Sequence, residues 1–496
     1  MLRAEKQESF LGREEELNAL KAFTTSAKSG FVYVRGRRRV GKSRLLKKLA
    51  ATRKDIFYFQ GAEDSNKSAT LADFASAWDS FSEKIRLTEL SPRSLTWRRI
   101  FEEISQQTQQ NKKNLVLIFD EIQWIAKTQS GCVGAIKAAW LDWEQLGIKV
   151  IICGSSNKFF VEQTGGEEKI LRGLTTRSTI WIHPFSLHHV KALYFPKWKN
   201  EEVALTYMLL GGIPYYLQRI IDQGSHREFM HCINDAVFTK ESIFLEEIDE
   251  LLGLEFNKRG TETVKRILAS LGQDGKTQTE IQKITGIPKQ TISDMLGLLV
   301  EYKLVFEKSP AHETKRNYSG IRYFMKDFYL NFYFQVLLPN KYKIETNSNG
   351  FVLGDIFERN SNYFIPNFSG KAFELLVRYI LEQRIDLKLK IFNLLDLRSW
   401  NYEVLAYWNK ETQIDLLVEH KTDRLSRILE CKWVGPDNRL FSQYLDELLS
   451  KKYEPPKTYT RKPVLVISKK PTLENLKKAK DQGVTIVSLD DLFLMD

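Results

Sequence analysis

Three sets of residues have the types and spacing that chemistry on phosphates requires. The first is Phe31-Val-Tyr-Val-Arg-Gly36, followed by Arg37, Arg38, Arg39, Val40, Gly41, Lys42, Ser43 and Arg44. Gly36 to Ser43 fits the G-x-x-x-x-G-K-[ST] phosphate loop, with an apolar β-branched run before it and a helical stretch after it. Such a loop wraps a phosphate chain with inward-pointing amides at the positive end of a helix dipole. Lys42 would reach the β- and γ-phosphates, and the Ser43 hydroxyl would ligate Mg²⁺. The plain alternative is a Gly-rich turn that binds nothing. The second set is Asp120-Glu121, at the end of the apolar run Leu115-Val-Leu-Ile-Phe119. Asp120 would hold Mg²⁺ through water, and Glu121 would orient or deprotonate an attacking water. The third is Asp415, then Glu430-Cys431-Lys432 after one short connection. Strand alternation puts Glu430 and Lys432 on one face. Asp415 and Glu430 could then hold a second Mg²⁺ through oxygen ligands, with Lys432 beside them as a catalytic cation and Glu374 as a further carboxylate.

The elements that must position these groups follow from periodicity. Leu17, Leu20 and Phe23 mark a packing helix, and Leu45, Leu46 and Leu49 mark the helix that Lys42-Ser43 opens. Strands are expected at Ile56–Gln60, at 115–119, at Lys149–Gly154 and at Thr179–His183, with helices over 68–86 and 93–110. Runs buried on both faces point to a parallel sheet, whose ligands gather at the C-terminal ends of its strands. At one such end Ser155 could bond a γ-phosphate or a water, or a Ser or Asn there could simply cap the next helix. Arg172 and Arg177 are candidates for the cation that stabilises transition-state charge, and each could equally be a surface charge. From Ser186 to about Glu250 the chain is helical, interrupted at Gly211-Gly-Ile-Pro214.

Further on, Thr261–Leu271, Thr279–Ile284 and Lys289–Val300 read as three helices with a Gly286 turn and Pro288 before the last. Leu304–Phe306 and Ile321–Phe324 would form a wing around Lys315-Arg316. This is a winged helix-turn-helix pattern, in which Lys289, Gln290, Thr291 and Ser293 would face a DNA groove and Ile292, Leu296 and Leu299 the core. Such a module can also pack on its neighbours and read no DNA. The aromatic run Phe324 to Phe334 is expected to be core. Residues 336–365 read as a linker. A helix at Gly370–Leu381 and strands at 413–418, 427–433, 464–467 and 484–487 make a last α/β layer.

Composition bounds the rest. A chain of 496 residues is too long for one core. Apolar content of 43% and charged content of 27% are those of an ordinary globular protein. No apolar run approaches membrane-spanning length and the N-terminus has no signal-peptide core, so a cytoplasmic protein without membrane contact is expected. Cys132, Cys153, Cys232 and Cys431 are scattered, which suggests neither a zinc site nor a disulfide framework. The formal net charge of +12 suits a polyanion partner such as DNA.

Phe10-x-Gly12-Arg13-Glu14, Gly36–Ser43, Phe119-Asp-Glu-Ile-Gln-Trp124, Gly154-Ser-Ser156 and Gly211-Gly-Ile-Pro214, in that order, resemble the archaeal-type ATPases, a family of the STAND group of AAA+-related signalling NTPases. The resemblance implies an α/β fold: a P-loop parallel sheet of order 5-1-4-3-2 over 1–185, a helical lid over 186–254 and a winged helix over 255–335. A linker, 336–365, would lead to a final domain over 366–496. It implies ATP and Mg²⁺ as cofactors, with Gly12 and Arg13 beside the adenine and Pro214 on the lid touching the nucleotide. Relatives usually carry a Gly-Arg pair before the strand ending at Pro184, where this chain has Arg172-Gly173 and, five residues on, Arg177. The last domain is similar to the PD-(D/E)xK, restriction-endonuclease-like fold attached to such ATPases. The implied protein is an ATP-driven switch with a DNA-handling tail, for which DNA cleavage and homo-oligomerisation are further expectations. Its rival is a slow-turnover ATP-binding regulator whose tail is a non-catalytic docking module.

Overall fold

The computed structural model describes residues 11–63, 65–82, 86–91, 95–111, 114–128, 130–156, 158–160, 179–224, 228–313, 320–346, 365, 367–383, 388–397, 401–409, 411–433, 440–454, 456 and 458–495. The chain forms two compact units that divide after Pro184.

In the first unit, β1 (Gly30–Arg35), β2 (Ile56–Gln60), β3 (Val116–Asp120), β4 (Lys149–Gly154) and β5 (Ile180–Trp181) form one sheet in the order β2-β3-β4-β1-β5. Every pairing is parallel, in register from Gly30↔Lys149 to Arg35↔Gly154 and from Ile56↔Val116 to Gln60↔Asp120. This is the 5-1-4-3-2 order implied by the resemblance. β3 and β4 are buried at every residue, because helices must cover both faces of a parallel sheet. Much of the core is aromatic: Phe57, Phe74, Trp78, Phe101, Phe119 and Trp143 are all at or near zero exposure. Fully burying one such side chain contributes about 1.5–3 kcal/mol. The helices expected over 68–86 and 93–110 are Lys67–Phe81 and Trp97–Asn111. Gly36 leaves β1 against the edge of the sheet, where a Cβ would lie 2.4 Å from the Ile182 carbonyl oxygen.

The second unit starts with helices Leu187–Leu193, Asn200–Leu210 and Pro214–Ile221. The Asn200–Leu210 helix is buried from Val203 to its end and stops at Gly211, which has φ 67°. The turn closes tightly: the Phe185 amide donates to the Gly212 carbonyl at 2.7 Å, and a Cβ on Gly212 would fall 1.9 Å from the Phe185 oxygen. Helices Lys258–Leu271, Gln278–Thr285 and Lys289–Glu301 follow, then an antiparallel hairpin of β6 (Val305–Lys308) and β7 (Arg322–Met325). That is the order expected of a winged helix. Thr277 and Glu280 form a capping box, and Gly286 ends its helix left-handed at φ 67°. Ile292, Leu296 and Leu299 are fully buried while Lys289 and Gln290 are exposed, as the spacing predicts. Phe328, Tyr329, Phe332, Tyr333 and Phe334 are buried core residues. Leu338–Thr346, read from sequence as linker, is helical. Lys315 and Arg316 lie outside the described residues.

The second sheet has the order β12-β11-β10-β9-β8, from β8 (Tyr402–Trp408), β9 (Gln413–His420), β10 (Leu425–Lys432), β11 (Thr460–Ile467) and β12 (Thr485–Ser488). β10, β11 and β12 run parallel, whereas β9 is antiparallel to both its neighbours. β8 had no counterpart in the sequence reading. Its register with β9 passes from Leu405↔Leu417 to Tyr407↔Ile414, so Ala406 faces two residues, Asp415 and Leu416. That extra residue is a β-bulge, a device that re-aims side chains beside sites. Replacing Gly212 by Ala should destabilise the second unit by about 1–3 kcal/mol through overpacking. Thermal unfolding of the Gly212→Ala chain should show its midpoint lowered by several degrees, and an unchanged midpoint would contradict this turn.

Candidate functional site

The phosphate-loop residues gather at the C-terminal ends of β1, β3 and β4. Arg39 (φ 70°) and Gly41 (φ 93°) are left-handed, which is the kind of turn that points successive amides into one concavity. Lys42, only 4% exposed, opens the helix Lys42–Ala50 and donates to the carbonyls of Gly36 (2.9 Å) and Arg37 (3.0 Å). Ser43 is half-buried in the same first turn, Arg44 is exposed and Val40 is fully buried. Gly12 and Arg13 are both left-handed (φ 66° and 69°), and this bend brings the Arg13 guanidinium to the Val40 carbonyl at 3.2 Å. Arg38 is half-buried.

Asp120 has no exposed surface. Its Oδ1 accepts the Glu121 amide at 2.9 Å and its Oδ2 accepts the Tyr58 hydroxyl, from β2, at 2.7 Å. Burial, together with the Asp120 charge, pushes the Tyr58 hydroxyl far above its ordinary pKa, so it stays a donor. Cys153 lies on β4, between β1 and β3. Burial raises its thiol first; Asp120 raises it further and Lys42 opposes. Glu121 is itself left-handed at φ 48°, and its Oε2 accepts the Ser155 hydroxyl at 2.9 Å and the Gln123 amide. The cap is made by Ser156, whose Oγ accepts the Phe159 amide at 3.2 Å. From sequence alone Tyr58 is placed in a strand and Gln123 only within Phe119–Trp124, and neither has an assigned role. Arg172 and Arg177 lie outside the described residues. Pro214 begins the helix Pro214–Ile221 of the second unit. The loop and carboxylate suit a nucleoside triphosphate with Mg²⁺: a glycine cradle for phosphates, and hydroxyl and carboxylate oxygens for a hard cation.

A second cluster lies entirely within the second unit. Lys371, Glu374, Arg378, Trp408 and Asp415 help to line a cleft of about 70 Å³. The bulge places Asp415 there, and its Oδ2 accepts the Cys431 amide at 2.9 Å, just beyond the last β9–β10 pair, Leu429↔Leu416. Lys371 lies 2.9 Å from Glu374 and 3.4 Å from Asp274. Burial and the Asp415 charge push the Glu374 carboxyl up to about 8 against the pull of Lys371; burial and the Glu430 charge raise Asp415 to about 6. Glu430 has other partners. Its oxygens pair with Lys432 at 2.9 Å and Lys451 at 3.1 Å, and Lys432 also reaches Glu447 at 2.8 Å. Alternation does put Glu430 and Lys432 together, but Asp415 shares its cleft with Glu374 and Lys371. Among the described residues no group of three or more His, Cys, Asp or Glu side chains is gathered closely enough to hold a metal ion. The wing is docked on this sheet: Ala311 donates to the Ala406 carbonyl at 2.7 Å, Lys308 to Val404 at 3.1 Å, and His312 meets Glu419 at 3.1 Å.

Residues 10–220 match a family described as an ATPase domain predominantly from Archaea, and residues 333–443 match one described as archaeal and bacterial proteins of unknown function. The chain is 26% identical over 425 residues to an uncharacterized protein of Methanocaldococcus jannaschii, covering 86% of this chain and 87% of that one. In fold it is similar to the Walker-type ATPase of Pyrococcus abyssi, with a TM-score of 0.52 and 19% identity over 68% of this chain and 99% of that one. No described helix is long and apolar enough to cross a membrane.

Because Glu374 and Asp415 are raised on folding, the folded chain keeps protons that the unfolded chain has released. Their contribution is fully present below the unfolded carboxyl values and is lost as pH rises through about 6 and then about 8. Chemical denaturation should therefore show stability falling over that interval, and Glu374→Gln should flatten the fall. An equal slope in wild type and variant would contradict the assignment.

Proposed function

Because residues 10–220 match an ATPase domain described as predominantly from Archaea, we propose that the protein is an ATP-hydrolysing switch of the STAND kind coupled to a DNA-handling tail. The observation that carries the ATP reading is the phosphate loop itself, with Arg39 and Gly41 left-handed and the buried Lys42 bonded to the Gly36 and Arg37 carbonyls, and with Asp120 buried at the C-terminal end of β3 in the same parallel sheet. In this mechanism the loop amides hold the phosphates and Lys42 exchanges the Gly36 and Arg37 carbonyls for β- and γ-oxygens. Ser43 and Asp120 would hold Mg²⁺, which supplies charge neutralisation at the β- and γ-phosphates. Glu121 orients and deprotonates the attacking water. Gly12 and Arg13 face the base, Pro214 closes on the nucleotide, and Arg172 or Arg177, from the same or a neighbouring copy, answers the developing charge.

For the tail, the proposed DNA contact is the exposed start of the Lys289–Glu301 helix, through Lys289, Gln290, Thr291 and Ser293, because the wing is engaged on β8. Metal-dependent phosphodiester cleavage would centre on Asp415, with Glu374 in the same cleft and Glu430 and Lys432 next to it. Two carboxylates whose protons are held abnormally tightly are groups a divalent cation can discharge. One observation favours a second reading, a non-catalytic docking module: Glu430 is already paired with two lysines. The reading places the protein in the cytoplasm.

Lys42→Ala should abolish ATP binding in titration calorimetry, and retained affinity would overturn the nucleotide assignment. Asp415→Asn should remove Mn²⁺-dependent DNA cleavage while ATP turnover persists. A wild-type chain that binds DNA but never cuts it with Mg²⁺ or Mn²⁺ would leave the docking module as the tail's function.

A further inference from the structure

The structure assigns Gln123 as a positioning residue for ATP hydrolysis, an inference that rests on the reading of Glu121 as the group that activates water. Gln123 is the second residue of the helix Ile122–Thr128 and is 7% exposed. Its Nε2 donates both to the Glu121 carboxylate and, at 3.1 Å, to the Ser155 hydroxyl. Ser155 in turn donates to the same Glu121 oxygen at 2.9 Å, so three side chains from β4 and the end of β3 close a ring. The orientation of the amide follows from its partner, since the reverse placement would set its oxygen against a carboxylate.

The surroundings are shaped for this amide. A Cβ at position 154 would lie 2.6 Å from Gln123 Oε1 and 3.0 Å from the Phe160 ring, so the glycine that ends β4 makes the room. Gln123 Oε1 is buried with no hydrogen-bond partner. Such an orphaned acceptor costs about 1–3 kcal/mol, a penalty that an apolar packing residue would not carry. Its amide is therefore retained for what the nitrogen does. With Oε2 held by two donors and the Glu121 amide tied to Asp120 Oδ1 at 2.9 Å, Glu121 is fixed at backbone and side chain. Among the described residues its Oε1 takes no hydrogen bond and is the oxygen available to a water proton, and that preorganisation is what positions a general base.

The test uses the full chain. Gln123→Met keeps the volume and removes both donors; ATP affinity should stay within about twofold while kcat falls by roughly 10-fold or more. Gln123→Glu supplies a group that donates only when protonated, so its kcat relative to wild type should recover as pH is lowered from neutrality. If the Met variant does not fold, this pH profile alone decides. Turnover of Gln123→Met at or above the wild-type rate, or a Gln123→Glu to wild-type ratio that is flat with pH, overturns the inference. A wild-type chain that binds ATP and never turns it over instead overturns the reading of Glu121, and this inference with it.

Discussion

Asp120 puts a carboxyl group in a place with no exposed surface, and the first unit is arranged to make that tolerable. A buried carboxylate without partners would take up a proton or unfold its surroundings. Here each oxygen has a donor, one from the chain's next amide and one from a tyrosine on the neighbouring strand, β2. The same tether bends Glu121 into the left-handed region, an unusual conformation for a side-chain-bearing residue, and thereby hands its carboxylate to Ser155 and Gln123. Parallel strands buried on both faces leave polar groups only the C-terminal edge of the sheet, so loop, carboxylates and hydroxyls meet there by topology.

The second unit solves a different electrostatic problem. Glu374 and Asp415 repel one another in a narrow cleft, with Lys371 as the nearest compensation. A bulge in β9, not simple alternation, puts Asp415 in that cleft. The wing then covers part of β8, the strand at one edge of the sheet, where unpaired amides and carbonyls would otherwise invite another chain. That docking ties the β6–β7 connection to the sheet that carries the carboxylate cleft.

How much was legible in the sequence differs between the two units. Gly36 to Ser43 and Asp120-Glu121 announce themselves because the chemistry is local: glycine for the turn, lysine for phosphate, two acids at a strand end. The burial of Ile292, Leu296 and Leu299 was legible for the same kind of reason, one helix and one period. β8 was missed because Tyr402–Trp408 shows no polar and apolar alternation in sequence: Glu403 is its only charged residue, and Leu405 and Tyr407 pack against a core of their own. Tyr58 had no assigned role, and Gln123 stood only as a member of Phe119–Trp124, because nothing about an aromatic in a strand, or an amide in a helix, reports which carboxylate or hydroxyl it will meet.

The sequence by itself determined the elements of the nucleotide-binding unit and the residue types at its phosphate end, since these depend on periodicity and on backbone conformations that few residues allow. Only the tertiary structure decided which groups share a site. It joined Tyr58 to Asp120 across 62 positions, tied Gln123 to Ser155 across 32, and set Asp415 in a cleft with Glu374 and Lys371 while Glu430, near enough to raise it, pairs with Lys432 and Lys451. The physical reason is that a hydrogen bond or a repulsion between side chains depends on distance in space, and one extra residue opposite Ala406 is enough to turn a carboxylate from one set of neighbours to another.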